Sequence, residues 1–391
     1  MDSIKELYKI GYGPSSSHTM GPQKAASIFL ERNKNADKFS AELFGSLSLT
    51  GKGHLTDYII KKTLGVDKTE IIFNNDFVYD YHPNALKFKA YVDNKLVDEW
   101  LVFSVGGGDL MELNEKRNIS KSSVYPHNNM TDILKYCKDE KISLVEYVKR
   151  FDNVRDYLKE VLSTMFSTIE SGLNKRGALP GSLKLKRKAN DFYLHYLQNK
   201  NFSNFLYAAS LATAEENASA NLVVTAPTCG SSGVLPAVLY TSKYYNNIND
   251  DKLLDALMLA GLIGNIIKYN GSISGAEVGC QGEIGSACSM AAGAYSVILG
   301  STNEQIEYAS EIALEHNLGL TCDPVDGLVQ IPCIERNALA SAKAIDAANY
   351  AALTDGNHHI SFDNVIKVMK ETGKDLNLKY RETSTGGLAK K

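Results

Sequence analysis

The chain has almost no charge excess: 42 Lys and Arg stand against 45 Asp and Glu, a net charge of −3 over 391 residues. That balance removes any bulk electrostatic case for a nucleic acid or an anionic membrane as partner. The one dense basic run, Lys184 to Lys188 (KLKRK), reads as a solvated helix face. Long apolar runs are missing too. With no stretch of about 18 apolar residues, no helix is expected to span a bilayer. The first ten residues are mixed and charged, unlike a secretion signal, so a cytoplasmic location is expected. Internal repeats and low-complexity tracts are also lacking. What remains is a chain with 44% hydrophobic residues, enough for real cores, and a length suited to two or three domains.

Hydrophobic patterning divides the chain. In the first part, Gln23 to Asn33 has helical spacing and Ala41 to Leu49 reads as a strand. Ala85 to Val92 and Leu96 to Val105 read as a hairpin turning at Asp93-Asn94-Lys95 and ending in Gly106-Gly107-Gly108. Residues Asn114 to Asn129 are polar and aperiodic. Beyond them helices dominate. Leu144 to Leu173 has helical spacing, Asp251 to Tyr269 is apolar nearly all round, and Asn337 to Leu353 is alanine-rich. Ser301 to Asn317 opens with a serine cap and Glu304 as its capping-box partner, and stops at Gly319. The expected fold class is an α+β N-terminal domain (1–115), a linker (116–129) and a larger, mostly α-helical domain (130–391).

Paired CxxC motifs are absent, which disfavours a zinc ribbon or a bacterial ferredoxin. The six cysteines are Cys137, Cys229, Cys280, Cys288, Cys322 and Cys333. Without a secretion signal, disulfides are the poorer reading. Cys280, Cys322 and Cys333 each lie in a loop-like stretch with Gly or Pro within two residues, where backbone can approach an inorganic cluster. Free cysteine is also among the most buried residue types, so spacing alone leaves both readings open. Cys288 has small helical flanks and suits burial; Cys137 lies in a charged helix; Cys229, in APTCGSSG, is ambiguous.

Longer motifs carry a resemblance. GPSSSHTMGP (13–22), GSLSLTGKGHLTD (45–57) and SVGGG (104–108) resemble the β-domain of bacterial iron–sulfur L-serine dehydratases. LPGSLKLKRKA (179–189), VTAPTCGSSGVLPAVL (224–239), SISGAEVGCQGEIGSACSMAAG (272–293) and HNLGLTCDPVDGLVQIPCIERN (316–337) resemble the α-domain. The motifs follow the family's order and span nearly the whole chain. The resemblance implies an α+β β-domain and a helical, catalytic α-domain. It implies an oxygen-sensitive [4Fe–4S] cluster on Cys280, Cys322 and Cys333, with one iron left for substrate, and Cys229 and Cys288 as non-ligands. It implies dehydration and deamination of L-serine to pyruvate and ammonia, within amino-acid catabolism and gluconeogenesis. A homodimer is the expected assembly, with a small-molecule substrate and neither nucleic acid nor membrane as partner.

The chemistry then assigns residue types. Hydroxide is a poor leaving group, so a Lewis acid on the β-oxygen lowers the barrier by several kcal/mol. The α-proton needs a base near neutral pH, for which histidine is suited. The resemblance selects His18 (SSSHT) and His54 (GKGHLTD) as the acid/base pair, with His82 a weaker third and the order within the pair open. Ser16, Ser17, Ser104 and Thr228 are candidate substrate contacts; the PSSSHT segment suits either an anion nest or a simple helix cap. Lys52 and Arg336 are candidates for the substrate carboxylate. His316 ends a helix, where cationic character is favourable in any case.

Two departures stand out. APTCGSSG has cysteine where many relatives have asparagine, and TSTGGLAKK lacks the terminal cysteine with which some relatives cap the open iron, so that self-inhibition is expected to be absent. Elimination from L-threonine or L-cysteine, a non-catalytic amino-acid sensor and a pyridoxal-phosphate enzyme are the competing readings.

Overall fold

The structure, a computed structural model, describes residues 1–113 and 123–390. Its elements in chain order are β1 (Ile10–Tyr12), α1 (Gly21–Arg32), β2 (Lys38–Phe44), α2 (Ser46–Thr50), α3 (Thr56–Leu64), β3 (Thr69–Asn74), β4 (Ala85–Val92), β5 (Lys95–Ser104) and β6 (Leu110–Glu112). Then come α4 (Met130–Glu140), α5 (Leu144–Phe151), α6 (Arg155–Leu173), α7 (Ala189–Asn199), α8 (Phe202–Ala218), β7 (Leu222–Val224), α9 (Val234–Tyr244) and α10 (Asp250–Asn270). The chain finishes with α11 (Gly275–Val278), α12 (Ser286–Leu299), α13 (Asn303–Glu315), α14 (Cys333–Ala352) and α15 (Phe362–Asp375). The expected α+β part followed by a larger helical part is what is observed.

The smaller part is a sheet in the order β3-β2-β4-β5-β6. The crossover through α3 makes β2 and β3 parallel; the other pairs are antiparallel. Strand β4 shows why the sheet has one wet face. Leu86, Phe88 and Ala90 alternate inward and are fully buried, while Lys87 between them points out to Glu99 at 3.0 Å. Helices α1 and α3 cover the inner face with Ala25, Ala26, Phe29, Ile59, Ile60 and Leu64. Phe29 stacks on Phe88 with ring centroids 5.4 Å apart. Truncating Phe29 to alanine would cost about 3–5 kcal/mol, the usual range for a buried aromatic.

The larger part packs around α12, whose Ala, Ser and Gly residues let α9, α10, α13 and α14 approach it. Its core also takes in the start of the chain. Met1, Ile4, Leu7 and Tyr8 are buried in the helical body, and β1 pairs antiparallel with β7 through Ile10↔Val224. The chain therefore leaves the helical body at Tyr12 and enters the α+β part directly through the GPSSSHT motif. That places the motif at the seam between the two.

Three expectations need correction. The strand read as Ala41 to Leu49 ends at Phe44. Gly45, at φ +55°, turns the chain, and its carbonyl accepts from Ser48 and Leu49 to start α2. The helix read from Ser301 is capped one residue later: Thr302 Oγ1 accepts from Gln305 N at 3.2 Å, and Gln305 Oε1 accepts from Thr302 N at 2.9 Å. Ser-Thr followed by Glu-Gln offers both registers, and the second is used. The stretch 144–173 is two helices, because the Asp152 carboxylate turns away to accept from Ser3 Oγ, Ile4 N and Tyr125 Oη. Of the expected linker, residues 116–122 lie outside the described residues. Downstream, Tyr125 is buried, and its N–H and that of Val124 donate to the Met1 carbonyl. Among the described residues no helix is long and apolar enough to cross a membrane.

Candidate active site

The two histidine motifs are laced together by short polar side chains. Ser15 Oγ accepts from His18 N at 3.1 Å, capping a wide π-type turn, Ser16–Met20, that runs into α1. The simple-cap reading of PSSSHT therefore holds for Ser15. Thr19 Oγ1 donates to the His54 carbonyl at 2.7 Å, and Thr56 Oγ1 donates to the His18 carbonyl at 2.6 Å. These cross-links bring the two fully buried rings to a centroid separation of 4.5 Å.

Hydrogen-bond partners assign the tautomers. His54 Nδ1 lies 2.9 Å from the Thr50 carbonyl, which only accepts, so Nδ1 carries the proton and Nε2 a lone pair. Ser46 Oγ spends its proton on the Glu382 carbonyl at 2.5 Å, so it accepts from His18 Nε2 at 3.0 Å. His18 Nδ1 is then the acceptor of the Ser17 hydroxyl at 2.8 Å. Burial holds both imidazoles neutral. It lowers His54 to about 4, and it lowers His18 well below its ordinary value, helped by His54 beside it. His82 is also buried at the seam, taking Asn84 N–H on Nδ1 at 3.1 Å and facing Glu277 with Nε2 at 3.7 Å. His316 lies on the surface at the end of α13, as expected.

The three cysteines of interest come from separate elements. Cys280 follows α11 and precedes a π-type turn leading into α12. Cys333 is the first residue of α14, and Cys322 lies in the loop between. Two of the three thus sit where helix N-termini favour negative charge. The three thiols lie near one another: Cys280 and Cys333 both raise the pKa of Cys322, and Cys280 raises that of Cys333. Burial is the larger cause, and it pushes Cys280 up to about 11 despite Arg336 beside it. Arg336 also donates from Nη1 to the Thr321 carbonyl at 2.6 Å. Cys288 is buried in α12 with Sγ 3.4 Å from the Ala340 carbonyl, and Cys229 packs on Met20; neither joins the trio.

Of the serine and threonine candidates, Thr228 donates to Glu283 Oε1 at 2.7 Å and Ser17 serves His18. Ser104 supports the turn from behind, donating to the Ser17 carbonyl at 2.7 Å. Ser16 is buried, and its carbonyl accepts from Gly21 N at the end of the turn. Lys52 is exposed and lies over the Phe73 ring at 5.3 Å. Arg336 is the better placed of the two expected cations.

Sequence reading missed Glu382. The segment after α15 returns to the site and forms a parallel bridge between Arg381 and Cys322. Cys322 N donates to the Tyr380 carbonyl at 2.8 Å, and Glu382 N donates to the Cys322 carbonyl at 2.7 Å. The Glu382 carboxyl is thereby buried with Oε1 3.5 Å from His18 Nδ1 and 3.7 Å from His54 Nε2. Burial, with Glu283 nearby, raises it well above the usual carboxylate range. Gly275 lies where Glu382 approaches Glu283 and Cys322. A Cβ there would lie 2.9 Å from Glu283 Oε2, 3.2 Å from Cys322 Sγ and 3.4 Å from Glu382 Oε2. Among the described residues, the one set of three His, Cys, Asp or Glu ligand atoms all within 4.8 Å is His18, His54 and Glu382. The cysteine trio is spread more widely.

Comparison with known proteins identifies the family. Residues 3–67 match the family model described as serine dehydratase beta chain, and residues 87–389 match serine dehydratase alpha chain. The L-serine dehydratase of Haemophilus influenzae is 40% identical, over 100% of this chain and 99% of the relative. That of Streptomyces coelicolor is 39% identical over 99% and 98%, and L-serine dehydratase 1 of Escherichia coli K12 is 38% identical over 100% and 99%. With its histidine motifs in the beta-type part and its cysteines in the alpha-type part, the chain belongs to the serine dehydratase family of lyases, both parts carried on one polypeptide.

Proposed function

We propose that the chain converts L-serine to pyruvate and ammonia, with a [4Fe–4S] cluster held by Cys280, Cys322 and Cys333. The observation that carries this reading is a chain of contacts: Cys322 Sγ and the Glu382 carboxyl both lie beside Gly275, and Glu382 in turn faces the two neutral histidines of the other part of the chain. Full-length similarity to relatives named L-serine dehydratase supports the substrate.

The donor set suits such a group. Three thiolates on one zinc stand roughly 3.8 Å apart, given Zn–S bonds of about 2.3 Å in tetrahedral geometry. The trio here is not gathered within 4.8 Å, a spread in keeping with a polynuclear cluster. The thiols are buried with raised pKa values, so cationic iron among them would relieve their mutual repulsion. Gly275 leaves room beside Cys322 Sγ that any Cβ would fill. When bound, the cluster would supply Lewis acidity for departure of the β-hydroxyl.

The chain's own residues do the rest. His54 Nε2 has its lone pair free and takes the α-proton, while the Thr50 carbonyl fixes the ring and its tautomer. His18 is tied at both nitrogens, to Ser17 and Ser46, and so holds the pocket wall and can take a proton from the Ser17 hydroxyl on Nδ1. Arg336 stands beside Cys280 and Cys333 and offsets thiolate charge. After elimination the enamine tautomerises to the imine, and water releases ammonia without further demands on the protein. The test is an anaerobic pyruvate assay on L-serine, L-threonine and L-cysteine side by side. Selective pyruvate formation from L-serine is expected. Equal or greater rates on another amino acid would reassign the substrate.

A further inference from the structure

Resting on the reading of the substrate as an amino acid, we propose that Glu382, delivered by the segment after α15, binds the substrate's α-ammonium and so positions Cα against His54. Three observations converge on this carboxyl. It is buried; the Ala276 N–H lies near the carboxyl, but Oε2 makes no well-formed hydrogen bond. Its neighbours among the described residues include two neutral imidazoles and a second buried carboxyl, Glu283, but it has no ion pair with a lysine or arginine. A buried carboxyl with no cation beside it stays protonated, and a cationic ligand would supply the charge that stabilises its ionised form. Lastly, its backbone sits at φ +56°, the left-handed region, which a non-glycine residue adopts only where surrounding structure holds it there.

The surrounding structure does so from several sides. Glu382 N donates to the Cys322 carbonyl, and its own carbonyl accepts from Ser46. Further along, Ser384 Oγ donates to the Pro324 carbonyl at 2.6 Å and Leu388 N donates to Asp323 Oδ2 at 2.6 Å. The segment thus presents one carboxyl between the histidine pair and the cysteine trio.

The ligand chemistry follows from what each group tolerates. A substrate carboxylate would bring a further acidic group beside Glu382 and Glu283 where no lysine or arginine pairs with Glu382 to offset it. A divalent metal on Glu382, His18 and His54 would occupy the His54 Nε2 lone pair that the reaction needs. An ammonium has donors for the carboxyl and leaves that lone pair free. Because Cα is one bond, about 1.5 Å, from the nitrogen, an ammonium held on Glu382 brings the α-hydrogen toward His54 Nε2, 3.7 Å from Oε1.

The experiment uses the full chain purified anaerobically with its cluster, and compares L-serine with 3-hydroxypropionate, which keeps the carboxylate and hydroxyl but lacks the ammonium. Glu382→Gln should raise KM for L-serine at least about 30-fold, in line with loss of one partner of a buried charge pair. It should leave the inhibition constant of 3-hydroxypropionate within about threefold of native. Parallel weakening of both ligands, an unchanged KM, or a bound divalent metal that the variant loses would each overturn the inference. Should the glutamine variant fail to take up the cluster, Glu382→Asp carries the test. It keeps the charge one methylene away and must still raise KM for L-serine selectively; an unchanged KM overturns the inference. A native chain inactive on L-serine would overturn the function reading and this inference together, whereas an active native chain with an unselective variant overturns this inference alone.

Discussion

His54 Nδ1 stands 2.9 Å from the carbonyl of Thr50, four residues back, and this contact decides what the ring can do. With its proton fixed on that side, the ring presents a bare Nε2 to the seam. His54→Gln should therefore lower kcat at least about 100-fold, the usual size of a general-base effect, with the visible absorbance of the cluster retained. Near-normal turnover would move the base to His18 or His82.

Acid should expose the cost of keeping that ring neutral. Folded, His54 titrates at about 4 because burial disfavours its charged form. Unfolded, it titrates at roughly 6.5. Between those values the unfolded chain binds the extra proton, so this contribution to stability is complete above about pH 6.5 and is lost as pH falls toward 4. The loss is on the order of 3 kcal/mol, and His18 adds to it with the same sign. Urea midpoints at pH 7 and pH 5 should drop more for the native chain than for His54→Gln. Equal drops would show that the ring is not held neutral.

The cysteines should separate cleanly. Serine at Cys280, Cys322 or Cys333 should each abolish the brown colour and the activity. Cys288→Ser and Cys137→Ser should keep both, since those side chains pack into helical cores away from the seam. A Cys322→Ser protein with native iron content would remove that residue from the ligand set.

Gly275→Ala tests the space beside Cys322 without replacing a ligand. The added methyl would crowd Glu283 and Cys322 Sγ at 2.9 and 3.2 Å. Iron content and turnover should fall together while the far-UV circular dichroism stays native. Full cluster loading in this variant would place the iron away from Gly275.

How much of this was legible beforehand depends on what kind of signal each residue leaves. Leu86, Phe88 and Ala90 alternate, so the hairpin was readable almost to the residue. His18, His54 and the three cysteines lie in Gly-rich motifs of unusual composition. Glu382 leaves no such trace: YRETS is ordinary polar sequence, and only the bridge between Arg381 and Cys322 carries its carboxyl inward. The capping of α13 was misjudged by one residue because two adjacent hydroxyls each had an acceptor partner three residues on. Lys52 was a candidate for the substrate carboxylate as a cation within a family motif, but it is exposed and lies over Phe73.

The central claim, an L-serine lyase built on a three-thiol cluster, is tested most directly by purifying the full chain under nitrogen. Iron, sulfide and pyruvate formation from L-serine are then measured on one sample before and after exposure to air. The expected result is about four iron and four sulfide per chain, with activity that falls in air as the cluster absorbance fades. Pyruvate formation at full rate from a chain free of iron would contradict it.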